Sequence, residues 1–192
     1  MIKNRKFLII LCVANTMASQ YGHIMDLPSG YRFVPNDEEL MEFYLTRKVC
    51  NGPLPHDVIK DVDASELYSK HPKTLVDDVY NHENSWYFFT HTNDDNVEEG
   101  KKTIRIVGDG IGFWRGLLSE DLIYNSNGDV CAFKTHWRYF EGPIIKGKRT
   151  NWTMEEYRLR NDAPTSSNDE EQLAMEWVLV RMKKGRVYDC LF

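Results

Sequence analysis

The sequence predicts an α+β fold that is mainly β, a strongly twisted antiparallel sheet with a few helices packed at its N-terminal side. Helix-type spacing of apolar residues is confined to residues 36–68. From residue 86 onward, short segments rich in aromatic and β-branched residues alternate with clusters of turn residues, which is typical of strands. Asn127-Gly128, between two of these segments, favours a tight β-hairpin turn. These observations together predict one domain in which helices precede the sheet.

The first helix is predicted over residues 36–50. Asn36 is a favourable N-cap, and Glu39 stands at the position that completes a capping box. Apolar residues recur three and four positions apart through the segment, as they do in an amphipathic helix. Gly52-Pro53 predicts the end of this helix. A second, shorter helix is predicted over residues 63–68.

Strands are predicted through most of the remaining chain. The candidate segments are residues 86–90, 102–107, 112–118, 121–124, 130–140, 152–159 and 174–182. An acidic loop over residues 93–100 and a polar linker over residues 163–171 separate some of them. The domain is therefore expected to span residues 25–184, followed by a short tail over residues 185–192.

The first 24 residues are not expected to belong to the fold. Three basic residues precede an apolar run over residues 7–14, which is the outline of a secretory signal peptide and is too short to span a bilayer. A start at Met17 is the alternative, and it would make residues 1–16 an upstream extension without function. We favour the second interpretation, because an export signal would conflict with what the rest of the chain indicates.

Charge is distributed unevenly along the chain. The formal net charge is −5, which is the wrong sign for a simple nucleic-acid-binding protein. Residues 26–99 hold 16 acidic and 6 basic side chains, a balance of −10, whereas residues 134–160 hold 7 basic and 3 acidic ones, a balance of +4. Such asymmetry lets one face approach phosphates while another repels them. A merely solvated basic region is the alternative.

Neither a metal site nor a catalytic centre is predicted. The four cysteines are widely spaced and form no CxxC pair, so we expect reduced thiols, no zinc site and no disulfide framework. The acidic run over residues 37–39 is explained by the preference of carboxylates for a helix N-terminus. The sequence contains no glycine-rich phosphate loop and no nucleophile elbow. We therefore expect no enzyme activity and no cofactor.

Several ordered motifs resemble one known family. Residues 27–40 read Leu-Pro-Ser-Gly-Tyr-Arg-Phe-Val-Pro-Asn-Asp-Glu-Glu-Leu, which closely resembles the opening of the NAC domain of plant NAM/ATAF/CUC transcription factors. Further similar blocks follow in the family's order at residues 54–63, 85–89 (Ser-Trp-Tyr-Phe-Phe), 112–115 (Gly-Phe-Trp-Arg), 146–159 and 176–181. The resemblance implies a nuclear, sequence-specific DNA-binding protein. Members usually carry a long C-terminal regulatory region, so this chain is expected to be a divergent member without one.

The resemblance also implies where DNA would bind. In the family, a strand with the motif WKATGxDK enters the major groove, which is wide enough for a β-element. Residues 114–121 occupy that position, but Leu117 and Leu118 replace its Thr and Gly, and Asp121 replaces its final Lys. The DNA-binding part is expected at about residues 103–184. The implied DNA contacts are Arg105, Trp114, Arg115, Lys134, Arg138, Lys146, Lys148 and Arg149. For Trp114 the alternative is a core aromatic.

The arm before the first helix is where members of the family pair. The resemblance implies that Leu27 packs against its symmetry mate and that Arg32 faces Glu39 of the other chain, as homodimer or heterodimer. An intramolecular Arg32–Glu39 pair is the alternative. The leading hypothesis is therefore a dimeric DNA-binding transcription factor without membrane or small-molecule partners. The second is a dimerisation partner with weakened base readout that modulates other NAC proteins.

Overall fold

The computed structural model describes residues 32–76, 83–92, 104–160 and 176–186. Three helices precede most of the strands: α1, made of the consecutive segments Asp37–Glu39, Leu40–Leu45 and Thr46–Val49, then α2 (Ala64–Ser69) and α3 (Pro72–Val76). The strands are β1 (Lys60–Asp61), β2 (Ser85–Thr92), β3 (Ile104–Val107), β4 (Gly112–Tyr124), β5 (Val130–Glu141), β6 (Lys148–Leu159) and β7 (Glu176–Lys184). The mainly β, α+β fold class is confirmed.

All seven strands form one sheet in the order β1-β2-β7-β6-β5-β4-β3. Every neighbouring pair is antiparallel except β1 and β2, which are parallel. The sheet is therefore mixed, and the expectation of a purely antiparallel sheet fails at this one pair. The two-residue strand β1 carries no alternating apolar pattern from which it could be predicted.

Helix α1 begins with the predicted capping box. The Asn36 side chain accepts from the Glu39 backbone N–H at 2.8 Å, and the Glu39 carboxylate accepts from the Asn36 N–H at 2.8 Å. The middle segment, Leu40–Leu45, is π-helical. Apolar periodicity predicts that a helix forms here but does not distinguish a π turn from an α turn.

Both faces of the sheet carry a hydrophobic core. On the first, here called the α1 face, Leu40 and Tyr44 of the helix pack with a sheet cluster that contains Tyr87, Phe89, Ala132, Tyr157 and Leu179. On the second, the α2–α3 face, Leu67 and Leu75 pack with a cluster that contains Trp86, Phe88, Trp114, Trp137, Met154 and Val180. Because alternate residues of a strand point to opposite faces, β2, β4, β5, β6 and β7 each contribute to both cores.

Strand β4 contains a wide irregularity. Two separate segments were expected at residues 112–118 and 121–124, but they form one strand. The register shifts between Gly116, opposite Trp137, and Glu120, opposite Thr135, so β4 uses two more residues than β5 there. This bulge falls within the segment that corresponds to the family's groove strand. β3 pairs with β4 only over residues 112–115.

Other local predictions meet different outcomes. The hairpin turn before β5 is confirmed, since Gly128 has φ +82° and its N–H donates to the Asn125 carbonyl at 2.9 Å. Helix α3 was not predicted, although proline fits the first turn of a helix, as Pro72 does here. Cys50 is disulfide-bonded, so the expectation of reduced thiols is wrong for it, while Cys131 is free.

Within the described residues, none of the helices is both long and apolar enough to cross a bilayer. The same residues contain no group of three or more His, Cys, Asp or Glu side chains that could hold a metal ion. The N-terminal extension over residues 1–24, the acidic loop over residues 93–100, the linker over residues 163–171 and most of the tail lie outside the described residues.

Candidate nucleic-acid interface

The eight predicted DNA contacts lie on four neighbouring strands, β3 to β6, and on the turn that joins β5 to β6. They therefore share the half of the sheet that is farther from β1, but they are divided between its two faces. Their environments differ sharply, however. One is a buried aromatic, two are cations held by carboxylates, and the others are cations with different degrees of exposure.

Trp114 is a core residue in this structure. Its side chain is 0% exposed and lies on the α2–α3 face, with its ring centroid 5.2 Å from that of Tyr139. Its position agrees with the core-aromatic alternative, because no ring surface is available at the outside of the sheet. A direct contact of Trp114 with DNA stays a prediction.

Arg105 lies in an internal ion pair on the same face. Its guanidinium pairs with the Glu156 carboxylate and lies between two rings, 3.9 Å from the centroid of Tyr68 and 4.1 Å from that of Trp137. Trp137 Nε1 also donates to Glu156, at 2.9 Å. Burial alone would lower the pKa of Arg105, but the nearby Glu156 carboxylate outweighs it and raises the pKa. The pair joins β3 to β6 across two intervening strands.

Lys134 connects the sheet to the start of α1. Its ammonium lies 2.7 Å from the Asp37 carboxylate and 3.6 Å from that of Asp121, and its side chain is 15% exposed. Asp37 accepts two further bonds, from the Tyr157 hydroxyl at 2.8 Å and from Arg181 at 3.0 Å. Burial raises the pKa of Asp37, but these donors and cations outweigh it and hold the pKa below its ordinary value.

Arg115 is exposed and Arg138 is partly exposed, and the two form a cationic pair on the sheet. They lie directly opposite each other on β4 and β5, on the α1 face, and neither is paired with an acidic side chain within the described ranges. Phe113 and Phe140 lie beside them as a stacked pair, with centroids 5.2 Å apart and ring planes 5° apart. The Arg115 guanidinium is 4.9 Å from the Phe140 centroid.

Arg149 and the β5–β6 turn extend this surface. Arg149 lies opposite Phe140, so it shares the α1 face with Arg115 and Arg138. Gly147 allows the turn to approach closely, since a Cβ there would lie 2.5 Å from Phe113 Cε1. Lys146 and Lys148 are exposed and have no acidic partner in the described part of the chain. We call Arg115, Arg138, Lys146, Lys148 and Arg149 the basic surface.

Directly after its bulge, β4 carries two acidic residues that contact basic side chains of neighbouring strands. Glu120 accepts from Arg158 at 2.5 Å and from the Thr135 hydroxyl at 3.2 Å. Asp121 lies 2.7 Å from His136 Nε2, and the hydrogen bond with His136 is the main cause that lowers its pKa. The sequence shows these acids, but their partners follow only from the cross-strand register.

A comparison with protein families decides the relationship. The model of the family described as "No apical meristem (NAM) protein" matches residues 28–159. The chain belongs to the NAC (NAM) domain family. Its matched region covers the helices, the bulged strand β4 and the basic surface.

Curated NAC proteins agree with this assignment. The chain is 33% identical over 161 residues to NAC domain-containing protein 101 of Arabidopsis thaliana, which covers 84% of this chain and 44% of that protein. It is 35% identical over 165 residues to Protein ATAF2 of Arabidopsis thaliana, covering 84% and 56%. NAC domain-containing protein JA2 of Solanum lycopersicum is 34% identical over 160 residues, covering 83% and 43%. The chain thus spans about half the length of the curated relatives it matches.

The structure describes two of the three residues that are predicted at the dimer interface. Leu27 lies outside the described residues. Arg32 pairs with Glu83 at 3.0 Å, and both side chains are exposed. The Glu39 carboxylate is bonded within its own capping box, so the intramolecular Arg32–Glu39 pair is not formed. Contact of these residues with a second NAC chain stays a prediction.

Proposed function

We propose that this chain is a NAC-type transcription regulator that binds duplex DNA as a dimer in the nucleus. The single observation that supports DNA binding best is the Arg115–Arg138 pair, in which two cations lie opposite each other without an acidic partner among the described residues. Like charges directly opposite each other destabilise a sheet. An anion bound between them would relieve the repulsion, and a phosphate group is such an anion.

Phosphate binding is the contact that this surface suits best. Cations that neutralise phosphates release condensed counterions, which supplies most of the affinity and makes it depend on salt. Lys146 and Lys148 are exposed at the β5–β6 turn and would extend the same surface along the phosphate backbone of DNA. Phosphate contacts set the position of a protein on the duplex, whereas base-edge contacts set its specificity. The basic surface would therefore provide affinity before it provides sequence preference.

Base readout would fall to the bulged part of β4. Leu117 is 48% exposed there, and Asp121 occupies the position of the family's final Lys. Each good base contact is worth about 1–3 kcal/mol of discrimination, so these replacements would reduce sequence preference. Arg105 and Trp114 are proposed to support the strand from the α2–α3 face, because one is held by a carboxylate and the other is buried. Lys134 is held by Asp37 and Asp121 on the α1 face.

The dimer is proposed from the arm and the first helix. The Arg32–Glu83 pair is exposed on both sides, and such pairs contribute only about 0–1 kcal/mol. Arg32 can therefore exchange Glu83 for Glu39 of a second chain at little cost, with apolar contact at Leu27 providing most of the affinity. Sedimentation of the full chain tests this: a monomer at every concentration used for DNA binding would contradict it.

The double variant R115Q/R138Q tests the DNA-binding proposal. Its affinity for duplex DNA should fall, and the slope of log K against log salt should become less steep by about two, because two phosphate contacts are lost. The matched control is K73Q on α3, which removes an exposed cation away from the basic surface. Equal behaviour of R115Q/R138Q and K73Q would contradict the proposed surface.

A second function is favoured by an acidic residue of β4. Because Asp121 stands where the family has Lys and lies beside Lys134 and His136 of the neighbouring strand, the chain could have weak base readout and act mainly by pairing with other NAC proteins. Mixing it with a DNA-competent relative should then lower that relative's occupancy of its site. Unchanged occupancy in a bandshift titration would exclude this modulating role.

A further inference from the structure

The two acids of β4 lie where the chain would meet DNA. Glu120 and Asp121 follow directly after the bulge, within the segment that corresponds to the family's groove strand. Their side chains are 41% and 54% exposed, and because they are consecutive they point to opposite faces of the sheet. We call them the β4 carboxylates. One carboxylate therefore lies on the α1 face of β4 and the other on its α2–α3 face.

On the α2–α3 face, Glu120 engages Arg158 of β6. The Arg158 Nη2 lies 2.5 Å from Glu120 Oε1, and the Thr135 hydroxyl donates to the same oxygen at 3.2 Å. The Arg158 side chain is 40% exposed, so solvent can reach it, and Glu120 is the acid that it contacts. Glu120 neutralises the charge of Arg158 and occupies one of its donors, which weakens the attraction of Arg158 for a phosphate.

On the α1 face, Asp121 engages His136 and Lys134 of β5. His136 Nε2 lies 2.7 Å from Asp121 Oδ2, and the Lys134 ammonium lies 3.6 Å from the same oxygen. Glu155 faces the other ring nitrogen of His136 at 3.9 Å, and Asp37 is the closer partner of Lys134 at 2.7 Å. Asp121 therefore shares its two basic partners with other acids, whereas Glu120 is the sole acid paired with Arg158 among the described residues.

The consequence for DNA binding follows from charge balance. A cation that is already neutralised by a carboxylate displaces no counterion from DNA, so it adds nothing to the affinity. The carboxylate itself also repels the phosphates. The basic surface and the β4 carboxylates are neighbours on β4, since Arg115 is five residues before Glu120. Asp121 lies on the α1 face with the basic surface, whereas Glu120 lies on the α2–α3 face. β3 pairs only with residues 112–115 of β4, so among the described strands both carboxylates lie at an open edge of the sheet, where one duplex would meet them together with the basic surface.

We propose that Glu120 and Asp121 are affinity-limiting residues of the DNA interface, which hold Arg158, His136 and Lys134 away from phosphate. This inference rests on the proposed DNA-binding function. It assigns the β4 carboxylates a definite role: they lower the affinity of the chain for any duplex and make its salt dependence less steep. Arg158, held by one acid only, is the cation whose release matters most.

E120Q, D121N and E120Q/D121N of the 192-residue chain test the inference in fluorescence anisotropy. One duplex carries the CACG-type core that the resemblance to the NAC family implies as a target, and the other is scrambled. Each released cation that reaches a phosphate should steepen the salt slope by about 0.9, which is a roughly threefold to fourfold larger loss of affinity between about 50 and 200 mM salt. The gain in affinity should be larger for E120Q than for D121N, because the basic partners of Asp121 keep other acidic partners.

The matched controls are E42Q on α1 and D57N in the loop after it, since both remove one exposed charge with no acidic or basic partner in the described part of the chain. They distinguish the effect on DNA affinity of releasing a cation from the effect of a change in net charge alone. A second arm adds R158Q. The loss caused by R158Q should be larger in the E120Q background than in the unmodified chain, because the two side chains are coupled.

Each outcome decides between distinct conclusions. Tighter, more salt-dependent binding of E120Q that R158Q reverses supports the inference, and so does binding that appears only in the double variant. If the unmodified chain binds duplex DNA while E120Q and D121N match E42Q and D57N, the inference is wrong and the proposed function stands. If neither the unmodified chain nor any variant binds duplex DNA, both are overturned.

Discussion

At the scale of single residues, Arg105 shows what sequence alone does not reveal. A basic residue on a strand near the groove motif was expected to contact DNA, and the structure shows it paired with Glu156 and lying between Tyr68 and Trp137. Glu156 is 51 residues away in sequence, so no local pattern connects the two. The capping box of α1 was predictable because both of its residues lie within four positions.

Removing Arg105 should destabilise the fold. In R105M the Glu156 carboxylate loses its cation in a site where it is 8% exposed, and breaking a buried pair from one side costs about 3–5 kcal/mol. The free energy of unfolding from urea titration measures this loss. R115M is the matched control, since Arg115 has no acidic partner among the described residues and should change stability by about 0.5 kcal/mol or less.

The double variant R105M/E156M separates a buried charge from lost packing. It should recover most of the stability lost in R105M, because replacing both partners of a buried pair by apolar side chains is often neutral or stabilising. An R105M variant as stable as R115M would contradict the structural role of Arg105 and strengthen its assignment as an exposed DNA contact.

At the scale of elements, the sequence predicts that a helix or turn is present better than it predicts strand register and contacts between elements. Helix α1, helix α2 and the Asn125–Gly128 turn follow from caps, periodicity and turn residues, and the structure has all three. The bulge in β4 was not predicted, since the two-residue insertion is visible only in the register against β5. The attachment of α1 to the sheet through Asp37 was equally hidden, because its partners lie about 100 residues or more away.

The Asp37 attachment should make stability depend on acid. Its pKa is lowered in the folded state, so its contribution is fully present above the unfolded-state pKa of about 3.9 and is lost as pH falls through the folded pKa. The difference in free energy of unfolding between the unmodified chain and D37N should therefore be constant above about pH 5 and shrink at lower pH.

The matched control for D37N is E38Q, an exposed carboxylate in the same first turn of α1. E38Q should show little dependence beyond the loss of a helix-dipole contact, worth about 0.3–1 kcal/mol. A D37N difference that stays the same down to pH 2 would show that the Asp37 carboxylate does not hold α1 on the sheet through its charge.

At the scale of the whole molecule, the charge distribution is compatible with the proposed binding of DNA by an acidic chain. The net charge is −5, but many cations of the sheet are neutralised internally, as Arg105, Lys134, Arg158 and Arg181 are. Four of the eight predicted contacts, Arg115, Arg138, Lys146 and Lys148, have no acidic partner within the described ranges. The sign of the whole chain is therefore a poor guide to its partners.

The central claim is that these four cations bind phosphate. The most direct measurement is fluorescence anisotropy of the full chain on the CACG-core duplex and on its scrambled control, across salt concentrations. Four contacts predict binding to both duplexes whose log K falls with log salt at a slope of roughly −3.6 per bound chain. A slope near zero, or no binding at low salt, would contradict the account.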